Sequence, residues 1–211
     1  MLTIYSTPLS ANGRKVLAVS HHLRVPADIK TINVYTGEGR TPEYLAINPS
    51  GKIPTLVDGD LTLWESNAIL QYLSEACGDF ELWSREPRQR ADISRWLYWE
   101  ASQWQPTLIP VLSGVVGRLL VPQLATAAAV EANWGDQSFQ TLVRFLNQHL
   151  NGRAFMVGDG LTLADFAVGA MMMYFRRAEF PFDDFVNIAT WYARLEDVPA
   201  WKATAVGPWA Y

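Results

Sequence analysis

The sequence predicts two unlike halves: a mixed α/β unit over residues 1–79 and an all-helical unit over 87–211, joined by a linker at 80–86. Three observations carry that expectation. The first 79 residues alternate short β-rich runs with helix-periodic ones. Asp58-Gly59 stands between two such β-rich runs, which is the strongest short-range hairpin signal a sequence offers. Beyond Pro87 no alternating run occurs, and the remainder reads as helix.

Taken in order, Leu2 to Tyr5 alternates like a short strand, and Ser6-Thr7-Pro8-Leu9-Ser10 breaks it. Asn12 to Leu23 reads as a helix with Val16, Val19 and Leu23 inward, ended by Pro26. Ile29 to Val34 is the next strand. A strand, a helix and a second strand form a βαβ unit, so the two strands run parallel. Gly37 to Pro42 is a loop and Glu43 to Ile47 a helical turn. Asn48-Pro49-Ser50-Gly51 is turn chemistry. Thr55-Leu56-Val57 and Leu61 to Trp64 are the hairpin strands, and a helix from Glu65-Ser66 carries Ile69, Leu70 and Leu73 on one face.

In the second half, Ala91 to Gln105 is a tryptophan-rich helix (Trp96, Trp99, Trp104), kinked or ended at Pro106 and Pro110. Gln123 to Leu150 is a long helix with an interruption at Gly135. Thr162-Leu163-Ala164-Asp165 is a variant capping box. The helix it opens is apolar on both sides (Leu163, Phe166, Ala167, Ala170, Met171, Tyr174, with Val168, Met172 and Phe175), which makes it central, with its methionines as core filler.

With 211 residues, 49% hydrophobic and 18% charged, the chain can bury a full core. A net charge of −4 without a basic cluster argues against nucleic acid and anionic membrane as partners. No apolar run approaches the roughly 18 residues of a membrane span, and Met1 to Tyr5 lacks the basic start of a secretion signal. Cys77 is the single cysteine, which excludes an intramolecular disulfide and fits a reducing cytoplasmic setting. His21, His22 and His149 show no metal-ligand spacing, so no metal is expected.

The chemistry concentrates between Asn48 and Leu70. Asn-Pro-Ser-Gly-Lys52-Ile53-Pro54, followed by Glu65-Ser66 at a helix start, resembles the glutathione site of the cytosolic glutathione transferases. Thr162-Leu-Ala-Asp165 is similar to a helix start in that family's all-helical domain, so the resemblance spans essentially the whole chain. It implies a thioredoxin-like β-α-β-α-β-β-α domain followed by the helical one. It also implies a cis Pro54, with Ile53 pairing its backbone to the cysteinyl part of glutathione, and Glu65 and Ser66 holding the γ-glutamyl end. A helix N-terminus offers free N–H groups to a carboxylate, and Glu65 a counter-charge to an amino group. Lys52 would meet the glycine carboxylate. Gly39 stands where serine-type relatives often carry a histidine, leaving Arg40 as the substitute donor.

Glutathione transfer needs the sulfur as thiolate. A free thiol has a pKa of about 8.5, and lowering it by about two units takes roughly 2.7 kcal/mol of preferential anion stabilisation. A hydroxyl donating to a charged sulfur contributes about 1.5–3 kcal/mol, and a helix N-terminus about 0.3–1 kcal/mol. One hydroxyl at the start of the first helix suffices. Pro8-Leu9-Ser10-Ala11-Asn12-Gly13-Arg14 resembles the catalytic-serine segment of the serine-type classes (theta, delta, phi and related bacterial enzymes), which makes Ser10 that hydroxyl. On its own Ser10 reads first as a helix cap, and the rest of the site reverses that reading. Tyr5 and Asn12 are the runners-up. An apolar co-substrate site is expected from Leu9, Trp104, Leu108, Ile109 and Trp209, with Tyr211 beside it.

The implied activity is a glutathione transferase: thiolate attacks an apolar electrophile to give a thioether, or a hydroperoxide is reduced. The alternatives are a non-catalytic binding or assembly module of the same fold, and a glutathione-dependent dehalogenase or isomerase. The resemblance also implies a homodimer, with Trp64, Trp83 and Trp96 as contacts.

Overall fold

The computed structural model describes residues 2–121 and 131–205. Its first part is β1 (Leu2–Ser6), α1 (Ala11–His22), β2 (Ala27–Thr31), α2 (Pro42–Ile47), β3 (Thr55–Asp58), β4 (Leu61–Trp64) and α3 (Ser66–Ala76). The strands form one sheet in the order β2-β1-β3-β4. β1 pairs parallel with β2 and antiparallel with β3, and β3 pairs antiparallel with β4. The order of elements is the thioredoxin-like one, and the hairpin closes on Gly59-Asp60, with Asp58 opposite Leu61. Ile4, Val16, Val19, Leu56, Ile69, Leu70 and Leu73 fill the space between sheet and helices.

The second strand lies earlier than the sequence predicts. Val25 N–H returns to the Ser20 carbonyl and Arg24 takes a left-handed φ of 54°, so the chain re-enters the sheet at Ala27. Pairing then runs from Leu2 opposite Ala27 to Ser6 opposite Thr31. Asn33 ends the strand by capping a 3-10 turn over Val34–Thr36, and a second such turn spans Glu38–Arg40, where a plain loop was expected.

The helical part begins with α4 (Pro87–Trp99), a π-turn over Glu100–Trp104, and α5 (Gln105–Leu120). Neither Pro106 nor Pro110 ends this rod. Pro106 has no N–H to return, and the ladder slips by one residue just before it, with Gln105 N–H reaching the Glu100 carbonyl. Of the helix expected over Gln123 to Leu150 with its interruption at Gly135, the described residues hold the part after that interruption as α6 (Gln137–His149), capped by Asp136 accepting from Phe139 N–H at 2.9 Å. Residues 131–136 are not helical, and 123–130 lie outside the described residues. α7 (Leu163–Ala170) is buried along its whole length and continues as a 3-10 turn through Met171–Tyr174. α8 (Val186–Glu196) and α9 (Pro199–Ala203) complete the fold. Asp165, fully buried, accepts from the N–H groups of Thr162 and Met156 and from the Trp191 indole at 2.8–2.9 Å.

The two halves meet along α1. Its Lys15 ammonium is fully buried, 3.0 Å from Glu100 Oε2 in the π-turn and 2.8 Å from Asn67 Oδ1 on α3. Asn67 Nδ2 donates in turn to Glu100 and to the Leu97 carbonyl. Arg14 donates to the Trp201 carbonyl at 3.1 Å and lies 4.2 Å from the centre of that ring. No helix among the described residues is long and apolar enough to cross a membrane.

Candidate functional site

Four segments converge beside the start of α1. The first is Ser10 itself, half-buried in the turn that caps the helix, its Oγ accepting from Gly13 N–H at 3.4 Å. The second is Glu38–Arg40 and the third the loop Asn48–Pro54. Here two glycines decide the geometry. A Cβ on Gly39 would lie 2.4 Å from the Gly51 carbonyl oxygen, and one on Gly51 would lie 2.6 Å from the Gly39 oxygen. The two backbones touch, so the position where a histidine was looked for has no room for any side chain. Arg40 lies against Gly51 instead, with its guanidinium on the rim.

The Lys52 loop is held from below by a network absent from the motif reading. Tyr44 Oη donates to the Lys52 carbonyl at 2.7 Å, Asn48 Nδ2 donates to the same oxygen at 3.0 Å, and both meet Thr55 Oγ1 at 2.9 Å. Burial raises the Tyr44 hydroxyl above the ordinary tyrosine pKa, so it stays a donor. The Ile53–Pro54 peptide bond is cis, as the resemblance implies. The fourth segment is the entry to α3. Glu65 adopts φ 70°, a conformation rare for a residue with a side chain and costing on the order of 1–3 kcal/mol. Ser66 Oγ donates to Asn12 Oδ1 at 3.2 Å, tying α3 to α1.

Two adjoining hollows result, of about 260 and 400 Å³, sharing Lys52 and Ile53. The first brings together Ser10, Arg40, Lys52 and Ile53. The second takes Asn12, Pro54, Glu65 and Ser66 from the sheet half and Gln105, Pro106 and Ile109 from α5. Other expected residues fall elsewhere. Tyr5 packs on Tyr44 with ring centres 5.8 Å apart and lines neither hollow. Trp104 is 0% exposed, its indole N–H on the Val168 carbonyl and its ring stacked on Trp99 and Phe139. Leu108 is also fully buried. These two are core, not wall, because successive positions on a helix point in different directions and only Ile109, 55% exposed, points outward. Leu9 is half-buried and contributes its carbonyl to Tyr174. Trp209 and Tyr211 lie outside the described residues. Of the expected dimer contacts, Trp83 and Trp96 are buried and only Trp64 is exposed.

Tyr35 is the residue the sequence reading missed. Burial raises its hydroxyl above the ordinary tyrosine pKa, with the Ser10 and Tyr174 side chains opposing the rise. A tyrosine in a stretch read as strand and loop gave no signal of this. Among the described residues no group of three or more His, Cys, Asp or Glu is placed to hold a metal.

The comparisons with known proteins agree with this architecture. The model of the glutathione S-transferase N-terminal domain matches residues 1–75, and that of the C-terminal domain matches residues 118–203. A delta-class glutathione transferase from Nilaparvata lugens is 27% identical, with a TM-score of 0.83 over 97% of this chain and 92% of its own. The glutathione transferase BmGSTD1 from Bombyx mori is 28% identical, with a TM-score of 0.79 over 97% and 96%. A possible glutathione S-transferase from Rhodopseudomonas palustris is 25% identical, with a TM-score of 0.79 over 98% and 99%. With both domain models matched in order on the fold they describe, the chain belongs to the glutathione S-transferase family and is a glutathione transferase.

Proposed function

We propose that Ser10 is the catalytic residue and that the two hollows are the two ends of one glutathione site. In this reading Arg40 and Lys52 receive the glycine carboxylate, and the Ile53 backbone pairs with the cysteinyl unit. Glu65, Ser66 and the N-terminus of α3 take the γ-glutamyl end, with Asn12 beside them. The observation that carries it is the placement of the Ser10 hydroxyl in the same hollow as two cationic side chains, at the start of a helix.

Mechanistically, the thiol of bound glutathione loses its proton to solvent, and the sulfur keeps the electron pair. The Ser10 O–H donates to S⁻ more strongly than to S–H, which lowers the thiol pKa. The thiolate then attacks an electrophilic carbon, forming a C–S bond while the leaving group departs with its pair. The co-substrate enters against Ile109 and Pro106, an apolar rim suited to a flat apolar electrophile. A homodimer, using the exposed Trp64, and a cytoplasmic setting are part of the proposal.

Ser10→Ala tests it. The variant is expected to bind glutathione within a few-fold of the parent, because the other contacts remain. Its bound thiol pKa rises by about one to two units, and turnover near neutral pH falls about 10- to 100-fold, recovering in part as pH is raised. Titration of the thiolate absorbance reads this directly. An unchanged curve with unchanged turnover would leave Ser10 a cap and move the role to Asn12.

A further inference from the structure

The loop that carries Lys52 and Ile53 hangs on one atom, the Lys52 carbonyl oxygen. Tyr44 on α2 donates to it at 2.7 Å and Asn48 Nδ2 at 3.0 Å. Thr55 Oγ1, at the start of β3, lies 2.9 Å from Tyr44 Oη and 2.9 Å from Asn48 Nδ2. All three side chains are buried.

Counting protons orders this cluster. Tyr44 has one proton and a carbonyl only accepts, so that proton goes to Lys52. Tyr44 then meets Thr55 as an acceptor, and Thr55 gives its own proton to Tyr44 while accepting from Asn48. Asn48 divides its two amide protons between Thr55 and Lys52, and its Oδ1 accepts from the Ser50 N–H and hydroxyl at 3.0 and 2.8 Å. Every proton has a place, and the chain of bonds converges on the Lys52 oxygen.

The consequence falls on the other side of the same peptide. The cis bond is the next one along, Ile53–Pro54, so the Lys52–Ile53 bond is trans. In a planar trans peptide the C=O and N–H point in opposite directions. With the oxygen drawn into the buried cluster, the Ile53 N–H is turned away from it. Ile53 lines both hollows, and among the described residues nothing accepts from its N–H. A backbone donor without a partner beside a cleft is left for a ligand.

We propose that Tyr44 is a positioning residue for glutathione: by donating to the Lys52 carbonyl it fixes the Lys52–Ile53 peptide plane and aims the Ile53 N–H at the cysteinyl unit. The inference rests on the reading of the two hollows as one glutathione site. Tyr44 itself lines neither hollow, so it acts through the backbone alone. In Tyr44→Phe the ring still packs on Tyr5 and Asn48 still holds the Lys52 carbonyl, so the loop is kept while its peptide plane is freed to tilt.

The test compares glutathione with its glycyl ethyl ester, which keeps the cysteinyl amide and loses the carboxylate charge that Lys52 would meet. Binding titrations, steady-state kinetics and amide NMR are run on the parent, Tyr44→Phe and Lys52→Met. Tyr44→Phe is expected to weaken both ligands by the same factor, about three- to tenfold, through KM. Its kcat at saturating glutathione should stay within about twofold of the parent, because Ser10 is untouched. The Ile53 amide proton should move downfield when the parent binds either ligand, and less far in Tyr44→Phe. Lys52→Met should weaken glutathione and spare the ester. If Tyr44→Phe binds both ligands as the parent does while Lys52→Met still weakens glutathione, the positioning role is overturned and the site stands. If Tyr44→Phe weakens glutathione alone, Tyr44 acts through the Lys52 side chain and the peptide-plane argument is wrong. If the parent's Ile53 amide ignores glutathione and Lys52→Met binds it like the parent, the site reading falls, and this inference with it.

Discussion

Helix α1 faces two very different settings within five residues. Ser10, at its start, opens on a hollow with a hydroxyl that accepts from Gly13 N–H and still has a proton to give. Arg14 and Lys15, little more than one turn on, are fully buried in the seam between the halves. On the seam side the Lys15 ammonium is met by a carboxylate and an amide, and Asn67 closes the loop back to Glu100. On the cleft side the cations Arg40 and Lys52 stand exposed, with no charged partner among the described residues. The difference shows how one helix serves both halves. Its Lys15 is paired where it holds the halves together, although Arg14 Nε and Nη1 find no partner in that seam among the described residues, while at its start it borders a hollow with two unpaired cations.

The largest expected effect comes from breaking the satisfied side. Lys15→Met leaves the Glu100 carboxylate buried without its cation, and Glu100 Oε1 has no hydrogen-bond partner to begin with. Removing one member of a buried pair costs about 3–5 kcal/mol, whereas replacing both by apolar groups is often near neutral. Lys15→Met should therefore lower the denaturant midpoint sharply, and adding Glu100→Leu should restore much of it. A loss under about 1 kcal/mol for Lys15→Met would show that the pair does not close the seam.

The same contrast is repeated by two neighbours on α5. Leu108 is fully buried and Ile109 is 55% exposed on the rim of the larger hollow. Leu108→Ala should cost about 2–5 kcal/mol of stability and leave both KM values near those of the parent. Ile109→Ala should change stability by no more than about 0.5 kcal/mol, and raise the KM of an apolar co-substrate about three- to tenfold. If the two variants behaved alike, the division of α5 into core and wall would be wrong.

That division also marks how far the sequence could be read. The cradle is local: Lys52, Ile53, Pro54, Glu65 and Ser66 lie within 15 residues, in turn, strand and cap chemistry that a sequence spells out directly. The central burial of α7 was legible for the same reason, since its apolar pattern is continuous. The wall and the seam depend on helix rotation and on which half meets which. A run of tryptophans and leucines does not say whether Trp104 or Ile109 faces the cleft, because aromatic wall and aromatic core have one composition. The π-turn at Glu100–Trp104 resets the rotation of everything after it, and Pro106 announced a break there rather than a slip. Tyr174 Oη reaches the Leu9 carbonyl beside Ser10 across 165 residues, a contact that no local pattern announces.

Thr162→Ala is expected to cost about 1 kcal/mol and to leave turnover unchanged. Its Oγ1 donates to Asp165 Oδ2 at 3.0 Å, and three further donors remain on that carboxylate, so the helix start loosens without collapsing. Thermal unfolding alongside steady-state kinetics checks both halves of the statement. A fall in turnover at unchanged stability would put Thr162 on the functional side of the comparison.

The smallest effect separates the two sides by pH. His149 ends α6 in the helical half, its ring centre 4.3 Å from that of Trp96 and its Nε2 2.8 Å from the Met156 carbonyl oxygen. A carbonyl only accepts, so Nε2 carries the proton of the neutral ring. Burial holds the His149 pKa below the ordinary histidine value, against the pull of the Met156 bond. The unfolded chain then binds more protons than the folded one between the lowered pKa and about 6.5, so stability falls as pH is lowered through that window. His149→Gln keeps a donor for Met156 and removes the titration. Denaturant midpoints taken just above that window and about one unit below its upper edge should draw together in the variant, while its turnover profile keeps the parent's shape. Ser10→Ala should do the reverse, displacing the turnover profile and leaving the acid slope of stability alone. If the acid slope survived in His149→Gln, the protons would be binding elsewhere and the acid sensitivity would not belong to His149.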